Sequence, residues 1–580
     1  MLESKPRTLG KFNLNAINKH FPKENFRDGQ KEAIEFALKS FNDGKKVVIL
    51  ECPTGGGKSA VGMTIADMVN TSYYLTITKI LQDQLVRDFD DQVVELRGRA
   101  SYPCTFWDKS GQKLVDKKLI SSKDLFEKRQ KFSDCANGFC KTKINSNKNK
   151  FKCLSCFTPN GPVKNGIAQR LSPGNHYSDC PYYEQVHQAI NGRKVVMNFS
   201  SFLFQTQMTK RFDEPRDLMV IDEAHNVEPQ LLSFVSLSIS DFLLQDKNIY
   251  IPKLDNPVQY ANFFKEINFP NVILEIINEA EKKENTRLVD ELSRLLKKYK
   301  TFIDQVALRD DSPEWVSEYE IKKSGSKEYR TVTLKPVFAT DFVQPLLFKY
   351  AGKILMMSAT ILDVNVVCRS LGLDKSHIAA YRMKNRFPVE KRPIYLNTVG
   401  KMTGGKARMH EWAPKMVSEI EKITSKYPND KGIIHTHNFA IMDYILKSAN
   451  FNVKNRLLNQ RDFNNKLDLL DKHAKSKNSI IIAPAMHEGI DLKDDLSRFQ
   501  VICKVPYPNC FDDLQLARRV EVDRKYYMWL TALKIVQAYG RSVRSEDDYA
   551  DTYILDESIH KFLDDTRNMI PTWFTEAIVK

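Results

Sequence analysis

The chain has 580 residues, of which 42% are hydrophobic and 28% charged, with ten cysteines and a formal net charge of +16. That length calls for several domains rather than one, and no apolar run approaches the ~18–20 residues that span a bilayer, which excludes a helical membrane protein. The basic excess suits a polyanion, nucleic acid being the commonest. The start, Met1-Leu2-Glu3-Ser4-Lys5, lacks an apolar signal core and reads as intracellular (cytoplasm, nucleoid or nucleus, not secreted), where structural disulfides are unexpected.

Residues 1–46 are polar, with one helical pattern from Gln30 to Phe41. Before it stands Phe26-Arg27-Asp28-Gly29-Gln30. In nucleoside-triphosphate motors an aromatic and a Gln in this place contact the adenine edge, which makes Gln30 a candidate; a helix cap at Asp28 explains the same residues equally well. Val47 to Leu50 form a β-branched run that leads into Pro53-Thr54-Gly55-Gly56-Gly57-Lys58-Ser59 and a helix-like segment. Strand, glycine-rich turn and helix form a phosphate-binding loop. Thr54, Gly55, Gly56 and Gly57 wrap an anion with their N–H groups, and the helix start adds its positive dipole end. Lys58 reaches the β- and γ-phosphates of ATP and Ser59 holds Mg²⁺. Cys52 stands where the pattern expects its first Gly.

Residues 73–78 predict a second strand, followed by a helix with Gln82 and Gln84. Residues 98–185 break the strand–helix rhythm. They are rich in Lys, Ser, Asn and Cys, with a basic run from Lys141 to Lys152, and a segment so poor in apolar residues needs a metal to order it. Its six cysteines are Cys104, Cys135, Cys140, Cys153, Cys156 and Cys180.

Strand signals resume at Val195-Val196-Met197-Asn198. Leu218-Met219-Val220-Ile221 then ends in Asp222-Glu223-Ala224-His225. Paired carboxylates at a strand end, downstream of a phosphate loop, suit a Mg²⁺–nucleotide site. Asp222 holds Mg²⁺ through its water shell, Glu223 orients and deprotonates the attacking water, and His225 links the site to its neighbours. Residues 230–345 are a second insertion. Leu288, Leu292, Leu295 and Leu296 have helical spacing there, and 315–334 read as a hairpin turning at Ser324-Gly325-Ser326.

Another strand at Lys353 to Met357 meets Ser358-Ala359-Thr360. Residues 380–580 form a second α/β unit, with strands at Gly432, Ser479 and Val501, the segment Met486 to Asp491, and a helix carrying Gln537, Gly540, Arg541 and Arg544. Arg541 and Arg544 share one helix face. They suit a γ-phosphate, as arginine fingers, or else form a solvated basic face.

In this order, Gly55-Gly56-Gly57-Lys58-Ser59, Asp222-Glu223-Ala224-His225, Ser358-Ala359-Thr360, Gly489-Ile490-Asp491 and Gln537 to Arg544 resemble the motifs of superfamily 2 helicases. Gly98 to Cys104 and Cys180-Pro181-Tyr182-Tyr183, which bracket the cysteine-rich insertion, narrow the resemblance to XPD/DinG-like iron–sulfur helicases. The resemblance implies an α/β chain of two RecA-like P-loop motor domains with a cysteine-rich cluster domain and a mainly helical arch insertion. The first motor domain is expected over 1–97, 186–229 and 346–379, the cluster domain over 98–185, the arch over 230–345 and the second motor domain over 380–580. Gly489, Asp491 and Gln537 join the nucleotide site on the same ground.

The implied activity is ATP-dependent DNA unwinding, 5′ to 3′ along single-stranded DNA and at DNA junctions, in a setting such as DNA repair. Two alternatives are a translocase that does not separate strands and an RNA-directed helicase with a zinc module. Four thiolates hold a [4Fe–4S] cluster. Cys104 and Cys180 match the family's outer ligands, whereas Cys135 with Cys140 and Cys153 with Cys156 compete for the middle pair. The same two pairs also suit tetrahedral Zn²⁺.

Overall fold

The structure is a computed structural model that describes residues 10–104, 115–116, 121–131, 181–209, 211–283, 285–306, 314–324, 327–402, 405–484, 492–543 and 545–579. It divides into two compact units. One takes in Val69–Met219 and Glu228–Gly352; the other takes in Thr8–Met68, Val220–Val227 and Lys353–Lys580.

In the first unit, strand Lys194–Asn198 runs parallel between Ser72–Thr76 and Val94–Leu96. All five residues of Ser72–Thr76 are buried, as expected of a parallel strand covered on both faces. The second insertion lies in this unit, and its helices are accompanied by a three-stranded sheet. Helices Pro257–Glu266, Phe269–Lys282 and Thr286–Val306 pack with an antiparallel sheet of Leu237–Ser240, Lys327–Pro336 and Trp315–Ser324. The expected hairpin is present, with Ser324 opposite Lys327; its turn residues Gly325 and Ser326 lie outside the described residues. Leu292 is buried, with Leu288, Leu295 and Leu296 packed partly against the same core as Phe264, Phe269 and Phe302. The leucine spacing and the hairpin were both legible; the four-residue strand Leu237–Ser240, too short for a clear alternation, was not.

In the second unit, strand Val47–Glu51 lies parallel between Ala351–Ser358 and Ile378–Arg382. A second sheet has six parallel strands in the order Ile394–Tyr395, Asp551–Ile554, Phe499–Ile502, Gly432–His435, Ile480–Ala483, Leu457–Asn459. Gly432 is required where it stands, because a Cβ there would meet the Phe499 ring at 2.5 Å. Helices Met409–Ser425 and Phe439–Ser448 bury Trp412, Met416, Ile420 and Met442 against this sheet. Strand Arg216–Ile221 carries the chain into the second unit, so Asp222 and Glu223 belong there with Lys58, Ser358 and Gln537. Among the described residues no helix is long and apolar enough to cross a membrane.

Candidate active site

The phosphate loop follows from its glycines. Gly55 and Gly57 have φ of 77° and 75°, a left-handed backbone that glycine adopts without a Cβ penalty. Gly57 is the N-cap of helix Lys58–Asp67, so the helix starts where an anion would sit. Cys52 is fully buried, and burial pushes its thiol up to about 12 although Lys58 is near. It fills apolar space at the start of the loop, and its N–H donates to the Ser358 carbonyl at 2.9 Å.

Gln30 is placed against the loop itself. Its Nε2 donates to the carbonyls of Gly56 and Gly57, both at 3.2 Å. Arg27, absent from the sequence-based site, donates from Nη1 to the Gly55 carbonyl at 2.6 Å. Three loop carbonyls are thereby held by side chains outside the loop, while within it the Gly56 N–H donates to the Pro53 carbonyl at 2.9 Å. Near Thr54 a small, open pocket is lined by Phe387, Tyr539, Gly540 and Trp573. A Cβ on Gly540 would lie 3.4 Å from Thr54 Oγ1, so the end of the Gln537 helix approaches the loop closely.

The carboxylates meet the lysine. Lys58 Nζ lies 3.2 Å from Glu223 Oε1. Burial opposes the Lys58 charge, yet Glu223 and Asp222 outweigh it and hold the ammonium above the ordinary lysine range. Burial pushes Asp222 up against the pull of Lys58. Glu223 is held well down in spite of burial, by Lys58 first and by His225 and Arg541 after it. The two carboxylates thus stand apart in acidity, the pattern of an acid–base pair with separate tasks. Glu223 has φ of 51°, a strained conformation for a non-glycine residue and one that concentrates at functional positions.

From Glu223 a hydrogen-bond chain runs inward. Ser358 Oγ donates to Glu223 Oε2 at 3.5 Å and accepts from the Thr360 N–H at 3.0 Å. His225 Nδ1 bonds Ser358 Oγ at 2.7 Å. Amides of Asn226 and Gln537 both donate to His225 Nε2 at 2.8 Å, and Gln537 Nε2 also reaches Thr360 Oγ1 at 3.2 Å. With two amide donors on Nε2, that nitrogen is the acceptor and Nδ1 is the one that donates to Ser358. Asn226 was not foreseen, although it directly follows the Asp-Glu-Ala-His run.

Ser59 begins the helix beside Lys58. Gly489, Asp491 and Arg544 lie outside the described residues, as do Cys135, Cys140, Cys153, Cys156 and Cys180, the basic run 141–152, Phe106 and Trp107. Cys104 is buried. Tyr102 and Tyr182, each two residues from an outer cysteine, have ring centroids 5.6 Å apart, and Arg99 stands 5.1 Å from the Tyr182 ring centroid. Both ends of the cysteine-rich insertion therefore meet in the first unit. Among the described residues no three His, Cys, Asp or Glu are grouped to hold a metal.

Comparison with solved structures decides the fold. A structure titled XPD helicase superposes with a TM-score of 0.58 at 15% identity, covering 94% of this chain and 98% of that one. The chain has the fold of the XPD helicases. An apo XPD structure gives a TM-score of 0.54 at 13% identity over 93% of this chain and 98% of that one. The two RecA-like domains expected from the sequence are present in this XPD-like fold. Residues 23–240 match the type III restriction enzyme res subunit family, and residues 420–577 match the helicase C-terminal domain. The ATP-dependent DNA helicase chl-1 of Caenorhabditis elegans is 32% identical over 118 residues, 18% of this chain and 14% of that protein. ATP-dependent DNA helicase CHL1 of Candida albicans is 26% identical over 115 residues, 17% of this chain and 13% of that protein. The matched segments span 13–15% of the length of these curated relatives.

Proposed function

We propose that the chain is an ATP-dependent DNA helicase that moves along single-stranded DNA, 5′ to 3′, and acts at DNA junctions. The observation that carries this reading is the unbroken chain from Lys58 through Glu223, Ser358 and His225 to Gln537. It joins a phosphate-binding loop to helix Arg524–Tyr539, which ends two residues before Arg541, as a motor that couples hydrolysis to movement requires. The names of the chl-1 and CHL1 relatives and the net charge of +16 support DNA as the track.

In this reading the loop N–H groups and Lys58 bind the phosphates of ATP. Asp222, a buried carboxylate whose ionisation burial opposes, has the donor chemistry to hold Mg²⁺ together with Ser59; the ion supplies charge neutralisation at the phosphate oxygens. Lys58 leaves Glu223 for the phosphate, and Glu223, kept ionised, accepts the proton of the attacking water. Arg541, already close enough to lower the Glu223 carboxyl, stabilises charge developing on the γ-phosphate, and Arg544 is assigned the same task from its spacing. Gln30 and Arg27 hold the loop, Thr54 flanks it, and Gly489 and Asp491 complete the nucleotide site.

The insertion at 98–185 is assigned a [4Fe–4S] cluster on Cys104, Cys180 and two of Cys135, Cys140, Cys153 and Cys156. The meeting of its ends at Tyr102 and Tyr182 supports one closed module bounded by the outer pair. Domain limits at 98, 186, 230, 346 and 380 belong to the same reading.

Lys58→Ala tests the site. DNA-stimulated ATP turnover should fall on the order of 100- to 1000-fold, as when one charge-stabilising donor is removed from an active site, with bound metal unchanged. Retained turnover refutes the assignment.

A further inference from the structure

Leu362 lies two residues beyond Thr360 and has φ of 62°, a conformation that a bulky side chain rarely adopts. Its peptide is held from both ends. The Leu362 N–H donates to Glu51 Oε2 at 3.1 Å, and its carbonyl accepts from Arg382 Nη2 at 2.6 Å. The two holders are themselves paired, with Arg382 Nε donating to Glu51 Oε2 at 2.9 Å. One residue earlier, the Ile361 carbonyl accepts from Trp529 Nε1 at 2.8 Å, and Trp529 lies on helix Arg524–Tyr539, which carries Gln537.

Glu51 occupies a singular place. It is the last residue of the strand that feeds the phosphate loop, 5% exposed, and stands in register with Ser358 on one side and Arg382 on the other. Among the described residues its Oε1 has no hydrogen-bond partner. A buried carboxylate with one oxygen unpaired is costly, and so is leucine at positive φ. Both costs fall at one point, between the loop and the turn that carries Ser358 and Thr360. A pair serving stability alone has no need of a strained peptide as its third member.

We propose that Glu51 and Arg382 are positioning residues that clamp the 358–362 turn to the phosphate loop, so that nucleotide binding at the loop reaches the Gln537 helix through Leu362, Ile361 and Trp529. Because Cys52 follows Glu51 directly, a shift of the loop start displaces the Glu51 carboxylate, and the doubly held Leu362 peptide follows. The proposal rests on the reading of the site as an ATP hydrolase.

The experiment uses the full chain with Glu51→Gln, Arg382→Gln and the double variant. Three quantities are read: turnover with single-stranded DNA, affinity for a fluorescent non-hydrolysable ATP analogue, and hydrogen–deuterium exchange of the 358–365 peptide with and without that analogue. In the parent, the analogue should protect the peptide. Each single variant should lose that nucleotide-dependent protection, with turnover falling about tenfold, within the usual range of coupling energies, and analogue affinity kept within about twofold, consistent with an effect on coupling rather than binding. The double variant should be no worse than the poorer single one, because both act through one peptide. Protection that persists, turnover that is unchanged, or losses that multiply overturn the clamp. Should Arg382→Gln fold poorly by thermal melting, Trp529→Phe removes only the Ile361 bond and must show the same loss of protection. A parent that does not hydrolyse ATP refutes the underlying reading before any variant is compared.

Discussion

His225 and Ser358, 133 residues apart in the chain, share a hydrogen bond of 2.7 Å between Nδ1 and Oγ. That bond fixes the ring tautomer and hands the amides of Asn226 and Gln537 a single acceptor, Nε2. His225→Ala leaves Ser358 Oγ with the Thr360 N–H alone as donor and removes that acceptor in a site that is 6% exposed at His225 and fully closed at Ser358. The expected result is a fall in DNA-stimulated turnover on the order of 100-fold, the usual cost of displacing catalytic groups by about an ångström. KM for ATP should move little, since no phosphate-binding group is lost. Steady-state kinetics with and without DNA check this, and a raised KM at unchanged kcat contradicts it.

The insertion offers a prediction about stability. Phe264 is fully buried, with ring centroids of Phe269 at 5.1 Å, Phe263 at 5.4 Å and Tyr299 at 6.3 Å. Such a cluster cannot collapse around a missing ring. Phe264→Ala should cost about 3–5 kcal/mol, seen as an unfolding transition displaced to lower urea. A shift below about 1 kcal/mol would mean that the site repacks freely.

What the sequence made legible was local in kind. The loop at Lys58, the strand ending in Asp222 and the Ser358-Ala359-Thr360 turn each announce themselves, because turn glycines, β-branched runs and carboxylates at strand ends are short-range signals. The partnerships were not legible. Nothing within ten residues of Gln30 says that its amide holds two loop carbonyls, and nothing near Trp529 points to Ile361. Those contacts arise from which strands neighbour which. Glu51 was the one residue with a warning in plain sight: a carboxylate closing the apolar run Val47 to Leu50 must find a partner, and the partner, Arg382, lies 331 residues away in the chain.

Metal content separates the two readings of the cysteine-rich insertion. Anaerobically purified protein should carry iron and sulfide with broad visible absorption, and Cys104→Ser should lose the iron while the motor keeps its nucleotide affinity. The expectation follows from a thiolate requirement: serine does not replace a soft sulfur ligand to iron. Zinc in place of iron, in a colourless protein, transfers the site to Cys135, Cys140, Cys153 and Cys156 as a tetrahedral centre.

Gly57 gives the sharpest test of the loop. Its φ of 75° belongs to the left-handed region, and a Cβ there would fall 2.1 Å from Gln30 Nε2. Gly57→Ala therefore combines backbone strain of about 1–3 kcal/mol with displacement of the amide that holds the Gly56 and Gly57 carbonyls. Nucleotide affinity should drop on the order of tenfold or more, as charge-assisted bonds to phosphate are lost, along with a lowered melting temperature. The double variant Gln30→Ala with Gly57→Ala separates the two causes. Removing the glutamine relieves the clash but leaves the strained φ, so part of the stability should return while the nucleotide affinity stays low, the loop carbonyls having lost their donor. Full recovery of both would show that the clash alone was responsible and that Gln30 does not hold the loop.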